Sequence, residues 1–141
     1  AHPEMGHIYP RRPQNDRNFG GICPYHGDCL EGLASGPAIF ARWGANLSDL
    51  PTDHDARGII AEYLAQLCHM IFATLSAHRV VLGGGVMQTP GLLELVRAQA
   101  ARLDGDYLPG RAQHHICRPL HGDNAGAIGA LLLAEKALRQ A

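Results

Sequence analysis

The rhythm of apolar and polar positions changes several times along the chain. From residue 55 to 77, Ile59, Ile60, Tyr63, Leu64, Leu67, Ile71, Phe72 and Leu75 recur at i, i+3 and i+4, the period of an amphipathic helix. "HRVVLGGGV" follows: a short apolar run, Arg79 to Leu82, that enters three glycines and reads as a strand. "TPGLLELVRAQAARL" returns to helical spacing with Pro90 near its start. "HHICRPL" is a second short strand, and "GDNAGAIGALLLAEKALRQ" is a closing helix whose small residues suit close packing on a sheet. The order helix, strand, helix, strand, helix predicts an α/β class with a parallel or mixed sheet under covering helices.

The first third of the chain follows other rules. "CLEGLASGPAIFARWG" predicts two short helical pieces, with Pro37 in the first turn of the second and Ser35 as its cap. "NLSDLPTDHDARG" is a connector. Residues 1 to 29 have no periodicity, and "YPRRPQNDRNFGG" reads as irregular loop. A loop of that length is usually functional or held by something other than an apolar core. A bound metal is expected to supply the hold. The division is therefore a loop region, 1–29, and an α/β lobe, 30–141.

Composition narrows the class. The 141 residues are 46% hydrophobic and 18% charged, which fits one folded domain and excludes a disordered chain. A net charge of −1 leaves no electrostatic footprint for nucleic acid or an anionic membrane. No apolar run is read as reaching the roughly 18 to 20 residues that span a bilayer. The opening "AHPEMGHIYPRR" has no signal-peptide pattern, and the absence of an initial Met reads as a fragment or trimmed chain. The cysteines, Cys23, Cys29, Cys68 and Cys117, fit a reduced cytoplasm better than a disulfide scaffold. Cys68 and Cys117 read as small buried hydrophobes.

Chemistry concentrates in Cys23-x-x-His26-x-x-Cys29. Spacings of this kind let one tight turn present several ligands to zinc, which takes four Cys or His donors in its structural sites. A local disulfide and unrelated thiols meet the same spacing. A fourth ligand must come from elsewhere. His7 would complete a Cys2His2 set and close the loop of residues 8 to 22, while His2, His114, His115 and His121 are further candidates. "VVLGGGVM" places Gly83, Gly84 and Gly85 at a strand end, as neither a Walker loop nor G-x-G-x-x-G. Glycines there serve a tight turn or the close approach of a ligand.

Four motifs together carry a resemblance: "EMGH" at Glu4 to His7, "CPYHGDCLEGLASGPAI" at Cys23 to Ile39, "VVLGGGVM" at Val80 to Met87, and "GDNAGAIGALLLA" at Gly122 to Ala134. They resemble the ROK family of sugar kinases (repressors, open reading frames and kinases), and the His-containing cysteine loop is most similar to the bacterial fructokinase branch. The resemblance implies an actin-like, ribonuclease-H-like ATPase fold with a zinc-binding loop. This chain would be the C-terminal lobe, and the N-terminal lobe, with its DxG phosphate turn and catalytic aspartate, would be absent. No catalytic residue is therefore expected among these 141.

Residue by residue, the resemblance implies that Glu4, His7 and Glu31 meet the sugar. His7 would bridge, giving one ring nitrogen to zinc and the other to a sugar hydroxyl. Cys23, His26 and Cys29 would complete a structural zinc site, and Gly83, Gly84 and Gly85 would meet the adenosine of ATP. The implied activity is ATP- and Mg²⁺-dependent phosphorylation of a hexose, fructose first, by a cytoplasmic homodimer. The alternative is the sugar-sensing domain of a ROK-type repressor, which would need a helix-turn-helix ahead of it.

Overall fold

The computed structural model describes residues 3–109 and 115–140. At its centre is the helix α3 (Asp55–Leu75), which buries Ile59, Ile60, Tyr63, Cys68 and Phe72. Its start is fixed by His54, whose Nδ1 accepts the Ala56 N–H at 3.1 Å, and by Asp55, a carboxylate in the positive first turn. Leu64, Leu67 and Ile71 pack at the edge of the core, but Leu75 at the helix end is 65% exposed. A later helix, α4 (Leu92–Asp104), lies against α3 through buried Leu92, Leu93, Val96 and Ala100.

Upstream, α1 (Leu30–Ala34) and α2 (Gly36–Trp43) meet at Ser35, whose hydroxyl accepts the Ala38 N–H at 3.3 Å. These are the two helical pieces that the cap and Pro37 predict. Leu33 and Ile39 carry them into the core. The connector after α2 is held by Arg57, a buried guanidinium that donates to the carbonyls of Leu50 at 3.1 Å, Pro51 at 3.2 Å and Pro90 at 2.9 Å.

The strands β1 (Val80–Val81) and β2 (Ile116–Cys117) pair in parallel, Val80 opposite Ile116 and Val81 opposite Cys117. The Leu82 N–H adds a bond to the Cys117 carbonyl at 2.9 Å. With α4 as the crossover, this is the parallel order expected from the alternation of elements. Cys68 is fully buried, whereas Cys117 is only half-buried.

Three expectations need correction. First, α4 begins at Leu92 and not at Thr89, because Gly91 takes a left-handed conformation (φ 78°) that interrupts the helix there. Second, α3 is long and apolar enough by length and composition to cross a bilayer, with a mean hydropathy of 1.4 over 18 residues. Its apolarity is that of a core helix: it packs beneath α4 and α1 with Tyr63 and Cys68 fully buried. Third, the closing helix α5 (Ala125–Gln140), after a tight turn at Gly122–Asn124, does not pack its small residues on the sheet. Among the described residues a Cβ at Gly126 or Gly129 would meet nothing within 4 Å, and Leu131, Leu132, Leu133 and Leu138 are 59–80% exposed. Small residues permit close packing, but only an opposing surface makes it happen.

Candidate functional site

The cysteine loop folds as a knuckle. Cys23 and Gly27 exchange backbone hydrogen bonds of 3.1 and 2.9 Å, and the Ile22 N–H donates to the Gly32 carbonyl at 3.0 Å, seating the knuckle on α1. The contact requires glycine: a Cβ on Gly32 would lie 2.0 Å from the Gly27 carbonyl oxygen. The Leu30 N–H donates to the Ile8 carbonyl at 2.8 Å, which brings the helical turn Met5–His7 alongside.

This folding gathers His7, Cys23, His26 and Cys29, with one donor atom from each lying within 4.8 Å of all the others. His7 Nδ1 is 3.2 Å from His26 Nδ1, 3.5 Å from Cys29 Sγ and 3.9 Å from Cys23 Sγ, and Cys23 Sγ is 3.7 Å from His26 Nδ1. Zn–N bonds near 2.0 Å and Zn–S bonds near 2.3 Å give tetrahedron edges of about 3.3 to 3.8 Å. Four of the donor–donor distances, 3.2–3.9 Å, lie close to those edges, and the donor types are those of a Cys2His2 zinc site. Of the other histidines considered, His115 turns its ring to Phe72, 5.9 Å between centroids, and His121 precedes the turn at Gly122–Asn124. His2 and His114 lie outside the described residues.

The two thiols differ. Desolvation is the largest influence on each and pushes both upward. At Cys23 the backbone N–H groups of Tyr25 and His26, together with the Cys29 side chain, outweigh it and bring the thiol below its ordinary value. At Cys29 desolvation by burial prevails over the Gly32 N–H and the thiol is raised.

The far edge of the His7 ring faces carboxylates: Nε2 is 3.3 Å from Glu31 Oε2 and 4.0 Å from Glu4 Oε2. A carboxylate on the second nitrogen fixes the tautomer and orients the ring. His7, Tyr25, Glu31, Ser35 and Pro37 line a cavity of about 270 Å³ beside the knuckle. Glu4 is not part of that lining and its side chain is 70% exposed.

The loop of residues 8 to 22 has its own support, contrary to the expectation that a metal alone would hold it. Asp16 is buried beneath the Tyr63 hydroxyl, which donates to Asp16 Oδ2, and is paired with Arg42. Arg42 stacks on Trp43 at 4.2 Å and faces Phe19 at 5.1 Å. Gln66 and Arg11 exchange two hydrogen bonds of 2.7 and 2.9 Å, and Ile8 and Phe19 pack on the core. Sequence reasoning missed Asp16, whose partners Arg42 on α2 and Tyr63 on α3 are far off in the chain, and with it Arg12 and Arg42. One signal was available: Tyr63 sits on an apolar stripe, and a buried phenol needs a partner.

The glycine turn stands at the carboxyl end of β1. Gly83 lies so near the segment after β2 that a Cβ would come 2.9 Å from Pro119 Cγ, and Gly84 adopts φ 90°. Gly85 lines a second cavity, of about 310 Å³, with Gly36, Asn46, Ser48, Gln88 and Thr89. Gln88 donates to Asp123 at 2.8 Å, tying this turn to the one before α5. Ser35 and Pro37 line one cavity and Gly36 the other, so the start of α2 stands between them.

The chain is 49% identical over 137 residues to a fructokinase of Zymomonas mobilis, covering 95% of this chain and 46% of that protein. It is 42% identical to a putative fructokinase of Bacillus subtilis (99% and 48%) and 38% identical to a fructokinase of Pediococcus pentosaceus (100% and 49%). The chain thus spans about half the length of the curated relatives it matches. The ROK family profile matches residues 1–137, and the chain belongs to the ROK family.

Proposed function

We propose that the protein is an ATP-dependent sugar kinase whose preferred substrate is fructose, and that this chain supplies one wall of the sugar site and part of the nucleotide site. The observation that carries the reading is the ring of His7, with Nδ1 among the zinc donors and Nε2 beside Glu31 at the edge of a cavity. The names of the relatives favour the kinase over a sugar-responsive repressor.

In this reading Glu31 accepts hydrogen bonds from sugar hydroxyls, His7 Nε2–H donates one, and Glu4 joins from the outer side. Zinc, held by His7, Cys23, His26 and Cys29, is structural, since four protein donors leave no open position for chemistry. The glycine turn, Gly83 to Gly85, meets the adenosine, with Gly85 at the second cavity. Mg²⁺ accompanies the ATP phosphates, and catalysis is mainly positioning and charge neutralisation. The general base is assigned to a lobe outside these residues. Among the described residues the sheet has two strands and the leucines of α5 are bare, which supports that assignment, because parallel sheets and apolar helix faces are normally covered. A cytoplasmic homodimer goes with the same reading.

The test is ATP turnover by the full-length protein over a panel of hexoses. Fructose turnover dependent on Mg²⁺ and weakened by Glu31→Gln supports the reading. Turnover with no hexose, or with Glu31→Gln indistinguishable from wild type, sinks it.

A further inference from the structure

Arg12 connects two parts of the scaffold that the sequence keeps apart. Its Nη2 donates to the carbonyl of Asp16 and, at 2.5 Å, to that of Phe19, while its Nη1 donates to Asp28 Oδ2 at 3.2 Å. Asp28 immediately precedes Cys29 and lies two residues after His26, so it belongs to the segment that carries two of the four donors. Asp16, at the other end, is fixed by Tyr63 on α3 and Arg42 on α2. The Arg12 side chain is 18% exposed and Asp16 is closed from solvent, so the anchored end of the link is buried, while Asp28 at the other end is 43% exposed. A planar guanidinium fork reaches two carbonyls and a carboxylate at once, which a lysine ammonium cannot do with the same geometry.

We propose that Arg12 is a positioning residue for the metal centre: anchored on the buried Asp16–Tyr63–Arg42 cluster, it holds the His26–Cys29 segment in ligating geometry. The proposal rests on reading the four donors as a zinc site. Ordering a loop opposes binding, so a loop ordered beforehand gives tighter metal. Arg12 touches no donor atom and acts through Asp28.

The experiment measures zinc affinity of the full-length protein by competition with a chromophoric chelator, for wild type, Arg12→Met, Arg12→Lys and Asp28→Asn. Supporting outcomes are zinc bound about 10- to 100-fold more weakly by Arg12→Met, the range for groups that orient ligands, and a smaller loss in Asp28→Asn. With cobalt in place of zinc, the thiolate charge-transfer bands of Arg12→Met shift while its far-ultraviolet circular dichroism does not; a merely structural role would leave those bands unmoved. Should Arg12→Met fail to fold, Asp28→Asn, whose side chain is 43% exposed, carries the test. Wild-type zinc binding with every folded variant within twofold of it overturns the proposal and leaves the zinc reading standing. A wild type that takes up no zinc overturns both.

Discussion

Glu31 Oε2 lies 3.3 Å from Nε2 of His7, across the imidazole ring from the nitrogen that faces Cys29. One ring thereby joins the four-donor cluster to a carboxylate at the cavity, and the two roles separate by mutation. Glu31→Gln in the full-length protein is expected to raise KM for fructose about 10- to 100-fold, the loss of a charged hydrogen bond. Zinc content as purified should stay near one equivalent, because all four donors remain, while zinc affinity falls because Glu31 orients the His7 ring. Steady-state kinetics alongside metal analysis reads both quantities.

The knuckle depends on a glycine that carries no chemistry. Gly32→Ala would put a methyl group 2.0 Å from the Gly27 carbonyl oxygen, so the loop must move. The expected cost is about 1–3 kcal/mol of stability, typical of overpacking, together with weaker zinc binding. Denaturant titration and chelator competition on one preparation check the pair of effects. Gly126→Ala, where nothing lies within 4 Å, is the control.

Thiol reactivity should rank the cysteines. In zinc-depleted protein at pH 8, iodoacetamide is expected to modify Cys23 first, as its thiol lies below the ordinary value, and Cys29 more slowly. Cys68 should resist, since burial pushes its thiol up to about 12. Added zinc should protect Cys23 and Cys29. Peptide mass spectrometry gives the order, and early labelling of Cys68 would contradict it.

Tyr63 gives a pH dependence of stability. Burial raises its phenol above the ordinary 10.0, so its contribution is fully present below about pH 10 and is lost as pH rises through the higher folded value. At pH 8, Tyr63→Phe is expected to cost about 1–3 kcal/mol, because Asp16 loses a buried donor. The gap between wild type and variant should narrow above pH 10. Urea titrations at pH 8 and 11 measure it, and a gap that widens would refute the assignment.

What could be read from the sequence was whatever depends on neighbours in the chain. Ser35 and Pro37 set a helix start by local bonding, the α3 stripe by a 3.6-residue period, and the cysteine loop by a spacing that one turn satisfies. The glycine turn and the two parallel strands followed in the same way, although Gly91 shifted a helix start by a conformation that spacing does not encode. The support of the loop was not legible. Asp16 reaches Tyr63 and Arg42 across the fold, and no periodicity marks a carboxylate that will be buried. The small-residue face of α5 failed for a related reason: it states what could approach and not what does.

Metal analysis bears most directly on the central claim, that His7, Cys23, His26 and Cys29 form one structural zinc site. Full-length protein purified without chelators should carry about one equivalent of zinc per chain, as a closed four-donor site requires. Cys29→Ser should lose it and Cys117→Ser should keep it. Absence of zinc in the wild type, or equal zinc in the two variants, would contradict the account.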